Sequence, residues 1–191
     1  MNMEASKSEK RDGVIYGVIV GTLSIALSIV ALYYTRSAES YSSLFLVSTL
    51  LKITGSLAMP ILFVYLLKRK HGAFWSFSDA LKSIYTLLAC SIIVGSLGIS
   101  LFQKNMDKIV LEESYNNLMN LKIVDMEGKG ASEDQIDEQL EVIELDKEFA
   151  LSEFSFRNTV APIFISLLMN FLFALLLALL FRRPATGKAV N

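Results

Sequence analysis

The chain has 191 residues, of which 53% are hydrophobic and only 19% charged. Soluble domains carry about 25% charged residues, and the deficit here lies in four apolar runs. A net charge of −1 gives no overall basic field for nucleic acid. One cysteine (Cys90) and one histidine (His71) exclude an internal disulfide and a Cys- or His-based metal cluster within one chain.

A membrane helix needs about 20 mostly apolar residues, because ~30 Å of hydrocarbon is crossed at ~1.5 Å per residue. Residues 13–34, 44–67, 80–102 and 160–181 meet that requirement. Lys7, Lys10 and Arg11 precede the first run, in the manner of a secretory signal. Its apolar core exceeds the ~7–15 residues of such a signal, and no convincing small-x-small cleavage site follows. We read it as a retained span.

Gly13, Gly17 and Gly21 recur every fourth residue of the first span, followed by Ser24 and Ser28. Small residues at this spacing let two helix backbones approach closely. One reading is a homodimer seam, leaving a homo-oligomer open. The favoured reading is packing within the bundle, because the third span carries its own small face at Ser91, Gly95 and Gly98. Tyr33, Tyr34 and Tyr41 flank the first turn and suit an interfacial belt.

Lys52 is the charged residue of the second span, with Ser48, Thr49, Thr54 and Ser56 around it. A lysine at a helix centre costs ~2.5–3.5 kcal/mol on insertion scales and is a functional candidate by default. It lies about two turns from the span's outer end, within reach of a snorkelling stem. Two readings therefore stand, a polar site and a structural lysine. Pro60 removes a backbone donor and is expected to kink this helix.

Lys68, Arg69 and Lys70 open the turn to the third span. Gly72 is expected to end the second helix. Phe74, Trp75 and Phe77 are expected at headgroup level. Ser78 is expected to cap the third helix, with Asp79 in its first turn.

Residues 103–157 form the long acidic segment. Met106, Ile109 or Val110, Leu118, Leu121 and Val124 recur at loosely helical spacing, with Glu113 and Asn117 interrupting the seam. The spacing is compatible with the third span continuing outward as one long helix. Gly128 and Gly130 break the pattern, and Ser132 followed by Gln135 reads as a capping box. Ile136, Leu140, Ile143 and Phe149 then fall close to one helix face. A helical hairpin turning near residues 127–131 is expected. Its other face carries Glu133, Asp134, Asp137, Glu138, Glu141 and Glu144. Like charges at this spacing slightly destabilise a helix. A solvated face is the plain reading, and a surface for a basic partner is the functional one. The acidic calcium-loop pattern is absent, so no metal site is assigned.

Phe154, Phe156 and Arg157 lead into the last span, where Pro162 is expected near the helix start. Arg182 and Arg183 stop it, with Pro184 and Lys188 beyond. With four spans, all the basic clusters fall on one side. That places both termini in the cytoplasm and the acidic segment outside. No nucleophile elbow, phosphate-binding glycine loop or metalloprotease motif occurs. No catalytic residue and no cofactor is therefore assigned, and a non-enzyme is expected.

Tyr16, Gly17 and Gly21 in Y-G-x-x-x-G order, the run F-W-S-F-S-D-A-L-K ending at Lys82, and G-A-S-E-D-Q-I-D-E over residues 130–138 resemble a bacterial four-span membrane family. That family is domain of unknown function 4199. Lys52 departs from the pattern. The resemblance implies an all-helical protein of the bacterial inner (cytoplasmic) membrane and brings no activity. The expected fold is thus an all-α, single-domain membrane four-helix bundle with an extracytoplasmic helical hairpin between the third and fourth transmembrane helices. The leading functional expectation is an assembly or regulatory protein of the lipid bilayer, whose acidic hairpin meets a membrane or periplasmic protein partner. The alternative is a small transporter or lipid- or anion-binding protein using Lys52.

Overall fold

A computed structural model describes residues 3–71, 75–106, 108–152 and 156–182. Among these residues there are helices and no strand. Gly72, Phe74, Phe154, Arg183, Pro184 and Lys188 lie outside them. Helix α1 is Met3–Ser37. The second span is two helices, α2 (Tyr41–Ile53) and α3 (Met59–His71), joined through a π-helical turn over Thr54–Ala58. Then follow α4 (Phe77–Asn105), α5 (Lys108–Gly128), α6 (Glu133–Leu151) and α7 (Phe156–Phe181). Four stretches are long and apolar enough to cross a membrane: Ser8–Ser37, Tyr41–Lys70, Phe77–Asn105 and Val160–Phe181. The protein is an all-α membrane helical bundle.

The centre of the bundle is the pair α1 and α4, which run in the same direction. A Cβ on Gly13 would lie 2.8 Å from the Ser83 carbonyl oxygen. One on Gly17 would lie 2.5 Å from the Leu87 carbonyl oxygen and 2.6 Å from Cys90 Cβ. One on Gly21 would lie 2.9 Å from the Ser91 carbonyl oxygen. Further along, Ile25 of α1 packs directly over Gly98, and a Cβ on Gly95 would lie 3.9 Å from the Gly21 carbonyl oxygen. The glycine stripe thus lets α1 lie against the backbone of α4. Without a hydrophobic drive between helices in lipid, this close van der Waals contact is what holds them.

Helix α7 packs on the other flank of α4, and α3 closes against α1, α4 and α7. The buried core gathers where the basic residues emerge, called here the basic end. It comprises Val20, Val64, Leu67, Trp75, Ala80, Ile84, Leu87, Leu88, Ala174, Leu177 and Ala178. Asp12, almost fully buried, pairs there with Lys70 at 2.8 Å, tying α1 to α3. Lys68 lies over the Phe181 ring, 5.1 Å from its centroid, tying α3 to α7.

Several local expectations are corrected. Ser76, not Ser78, caps α4: its side chain accepts the Asp79 N–H at 3.2 Å and donates to the Asp79 carboxylate at 2.6 Å. Starting the helix at Phe77 lets that ring pack on the core. Trp75 is 2% exposed and belongs to the core rather than to the headgroup level. Helix α4 does not continue into α5, because Met106 is extended (φ −79°, ψ 151°). The break redirects α5 so that Leu111 and Ser114 are buried. Helix α7 begins at Phe156, so Pro162 stands inside it rather than in its first turn. The carbonyl four residues back then lacks its helical donor. Phe149 is 54% exposed, whereas Ile136, Leu140 and Ile143 are half-buried.

At the opposite, loop end, α5 lies across the ends of α1 and α2. The carboxyl end of a helix leaves carbonyls without helical donors. Asn117 donates to the Thr35 and Ala38 carbonyls at 2.8 and 3.0 Å. The Ser114 hydroxyl donates to the Val110 carbonyl of its own helix at 2.8 Å and lies 3.3 Å from the Leu32 carbonyl. Arg36 pairs with Glu113 at 2.6 Å. Lys122 donates to the Tyr41 hydroxyl at 3.2 Å and sits over its ring. Gly130, at φ 75°, makes the turn into α6 in a conformation that glycine adopts without strain. The Ser132 N–H donates to the Gln135 side chain at 3.1 Å and starts α6.

Candidate functional site

Helix α2 touches α1 and α5 but scarcely meets α4 or α7. The second span therefore leans away from the bundle on the loop side of the π turn. A cavity of about 710 Å³ fills the space between α1, the second span, α4 and α7. Small-molecule sites fall in the range of about 300–1,000 Å³.

Its lining is unusual for hydrocarbon depth. Lys52 and Ser56 come from the second span, Ser24 and Ser28 from α1, Ser91 and Ser96 from α4, and Ser166 and Asn170 from α7. Leu27, Leu51, Leu88, Ile92 and Ile99 complete the walls. Among the described residues no carboxylate lines the cavity, and Lys52 has no ion-pair partner. A lysine within a span is normally paired or faces a polar cavity; this one faces a cavity with no counter-charge.

The hydroxyls divide into two groups. Ser28 donates to the Ser24 carbonyl at 2.9 Å, Ser56 to the Lys52 carbonyl at 2.7 Å and Ser91 to the Leu88 carbonyl at 2.8 Å. Those protons are held by the helices' own backbone. Ser24, Ser96 and Ser166 are half-buried, and their hydroxyls make no hydrogen bond to protein among the described residues. Asn170 uses one N–H on the Ser166 carbonyl at 2.9 Å and keeps a second. Lining the same cavity as Lys52, which is itself exposed, are donors from three other helices. Such an array can hold an oxyanion.

The π turn helps form this space. A π bulge adds a residue to the helical path and occurs often at functional sites. Gly55 lies within it, and a Cβ there would meet Leu27 and the Ser24 hydroxyl only at 3.5 and 3.9 Å. Pro60 stands two residues beyond the turn and supplies no N–H to it.

The family described as protein of unknown function (DUF4199) matches residues 15–183. The chain belongs to the DUF4199 family. No curated protein and no solved structure matches it. The region matched to DUF4199 contains every residue lining the cavity, as well as α5 and α6.

The other residues singled out in this DUF4199 protein are placed as follows. Gly13, Gly17, Gly21, Gly95 and Gly98 lie between α1 and α4, where Ser91 serves both that contact and the cavity. Asp134, Asp137, Glu138, Glu141 and Glu144 line a shallow exposed groove on α6, and Glu133 stands at its first turn. Among the described residues no group of three His, Cys, Asp or Glu side chains is placed to hold a metal ion. Among the described residues helix α6 packs chiefly on α5. Lys147 donates to Asn116 at 2.8 Å across that contact.

Between the same two helices, burial pushes the Tyr115 phenol above its ordinary pKa, and the nearby Asp146 charge adds to the shift. The folded chain therefore holds this proton more tightly than the unfolded one. The associated stability is full below the ordinary phenol pKa and is lost as pH rises through the raised value. An alkaline absorbance titration is expected to show a late phenolate step. Tyr115→Phe should remove it, and Asp146→Asn should move it towards the ordinary range.

Sequence reasoning identified Lys52 but missed its setting. Ser166 and Asn170, one helical turn apart within the most apolar span, were the available signal.

Proposed function

We propose that this protein is a non-enzymatic, multi-pass protein of the bacterial inner membrane that binds an anionic ligand in its intramembrane cavity. The carrying observation is Lys52, among the described residues the one charged residue on a lining that presents unpaired hydroxyl donors and no carboxylate. The basic end faces the cytoplasm in this reading, on the strength of Lys10, Arg11, Lys68, Arg69, Lys70 and Arg182. Helices α5 and α6 then stand outside.

A second reading is supported by α6. Among the described residues it is held chiefly through α5, and its acidic groove is exposed. It is suited to a basic surface on a membrane or periplasmic protein, in an assembly or regulatory role.

Two variants separate these readings. Native mass measurement after mild extraction from the cell's own membranes should find a bound small anion on the intact chain. Lys52→Leu should weaken its retention by about 10–100-fold, the worth of a hydrogen bond to a charged group. Deleting residues 128–153 should leave that ligand in place and release any protein partner held by α6. Equal small-ligand retention by the intact chain and Lys52→Leu would overturn the cavity reading.

A further inference from the structure

We infer that the occupant of this cavity is an anionic amphiphile drawn sideways from the bilayer, its headgroup at Lys52 and an alkyl chain along the apolar walls. This rests on the anion-binding reading above and goes further by naming the source of the anion.

The argument is one of access. Towards the basic end the bundle is filled by Val64, Leu67, Ile84, Leu87, Leu88 and Leu177, all nearly or fully buried. An aqueous ion has no open path through that packing. Towards the loop end α5 lies across α1 and α2, fastened by Asn117 and Lys122. The remaining side is the gap between α2 and α7, two helices with scarcely any mutual contact. That gap faces hydrocarbon. Elsewhere on the same two helices Leu50, Ile53, Leu168 and Leu172 are each about half exposed or more, as lipid-facing residues are.

Depth gives the same answer. Lys52 is eleven residues into the second candidate span, or about 16 Å at the α-helical rise. A free ion reaching it would lose its hydration shell in a medium where unpaired charge is expensive. An amphiphile already in the bilayer brings its headgroup inward while its chain stays in apolar surroundings. Leu27, Leu51, Ile92 and Ile99 offer that chain a wall of the right character, and Ser24, Ser96 and Ser166 offer the headgroup donors. Gly55 keeps the space beside Lys52 clear, because it adds no side chain to the lining.

The full chain, reconstituted in phosphatidylcholine vesicles, tests this with spin-labelled phosphatidylglycerol and spin-labelled phosphatidylcholine. The motionally restricted fraction of each is read by electron paramagnetic resonance. The expected result is a preference for phosphatidylglycerol that falls about tenfold in Lys52→Leu. Gly55→Leu, which fills the cavity but keeps the charge, should lower the same fraction, and added inorganic phosphate should not compete. If inorganic phosphate binds in a Lys52-dependent way and neither lipid is preferred, the amphiphile is overturned while the anion site stands. If neither probe depends on Lys52, both readings fall.

Discussion

Gly17→Ala is expected to destabilise the bundle by about 1–3 kcal/mol, the usual cost of forcing a methyl into packed structure. The new Cβ would sit 2.5 Å from the Leu87 carbonyl oxygen and 2.6 Å from Cys90 Cβ. Neither is the loose tip of a flexible side chain, so relief requires α1 and α4 to separate. Gly128→Ala supplies the contrast. Nothing lies within 4 Å of a Cβ at Gly128, and a methyl there strikes no neighbour. The reporter is built in, since Trp75 is the only tryptophan and is 2% exposed in the core. Its fluorescence through a denaturant titration in mixed micelles should show an earlier midpoint for Gly17→Ala and little change for Gly128→Ala. A monomer whose stability is untouched by Gly17→Ala, with a shifted monomer–dimer equilibrium instead, would restore the homodimer seam and sink the intrabundle one.

The contrast between these glycines shows what a sequence carries and what it withholds. The four spans were legible because hydrocarbon imposes a length and a composition on any helix that crosses it. The glycine stripe was legible as a stripe, since a four-residue spacing marks one helix face whatever lies opposite. Its register against Ser83, Leu87 and Ser91 was not, because that depends on how two helices slide past each other. The cavity is the extreme case. Each of its serines reads singly as ordinary helix packing, and only the fold brings Ser24, Ser96 and Ser166 into one cavity with Lys52. Local caps failed for a related reason. Ser76 and Ser78 are equivalent as cap chemistry, and the choice was made by Phe77 finding the core. Glu113 and Asn117 looked like faults in an apolar seam. They are instead matched to the polar end of α1, which no pattern within α5 reveals.

That match carries the second large effect. Asn117→Leu keeps the approximate volume but strips both donors from the Thr35 and Ala38 carbonyls. A stranded buried acceptor costs about 1–3 kcal/mol. The Arg36–Glu113 pair does not make up the loss. Its side chains are 44% and 46% exposed, and exposed pairs contribute about 0–1 kcal/mol. The expected result is that α5 amides exchange about 5–100-fold faster with solvent deuterium, while those of α7 keep their protection, since α7 takes no part in this junction. Asn116→Ala, which removes only the contact to Lys147, should loosen α6 slightly and leave α5 in place. The two asparagines are adjacent in sequence and similar in chemistry. One caps α1 beneath α5; the other sits on the exposed side and steadies α6. Equal exchange in the two variants would mean that α5 is held by the burial of Leu111 rather than by the polar junction. Faster exchange in α5 alone would make Asn117 the latch that holds α5 over the loop end of the cavity.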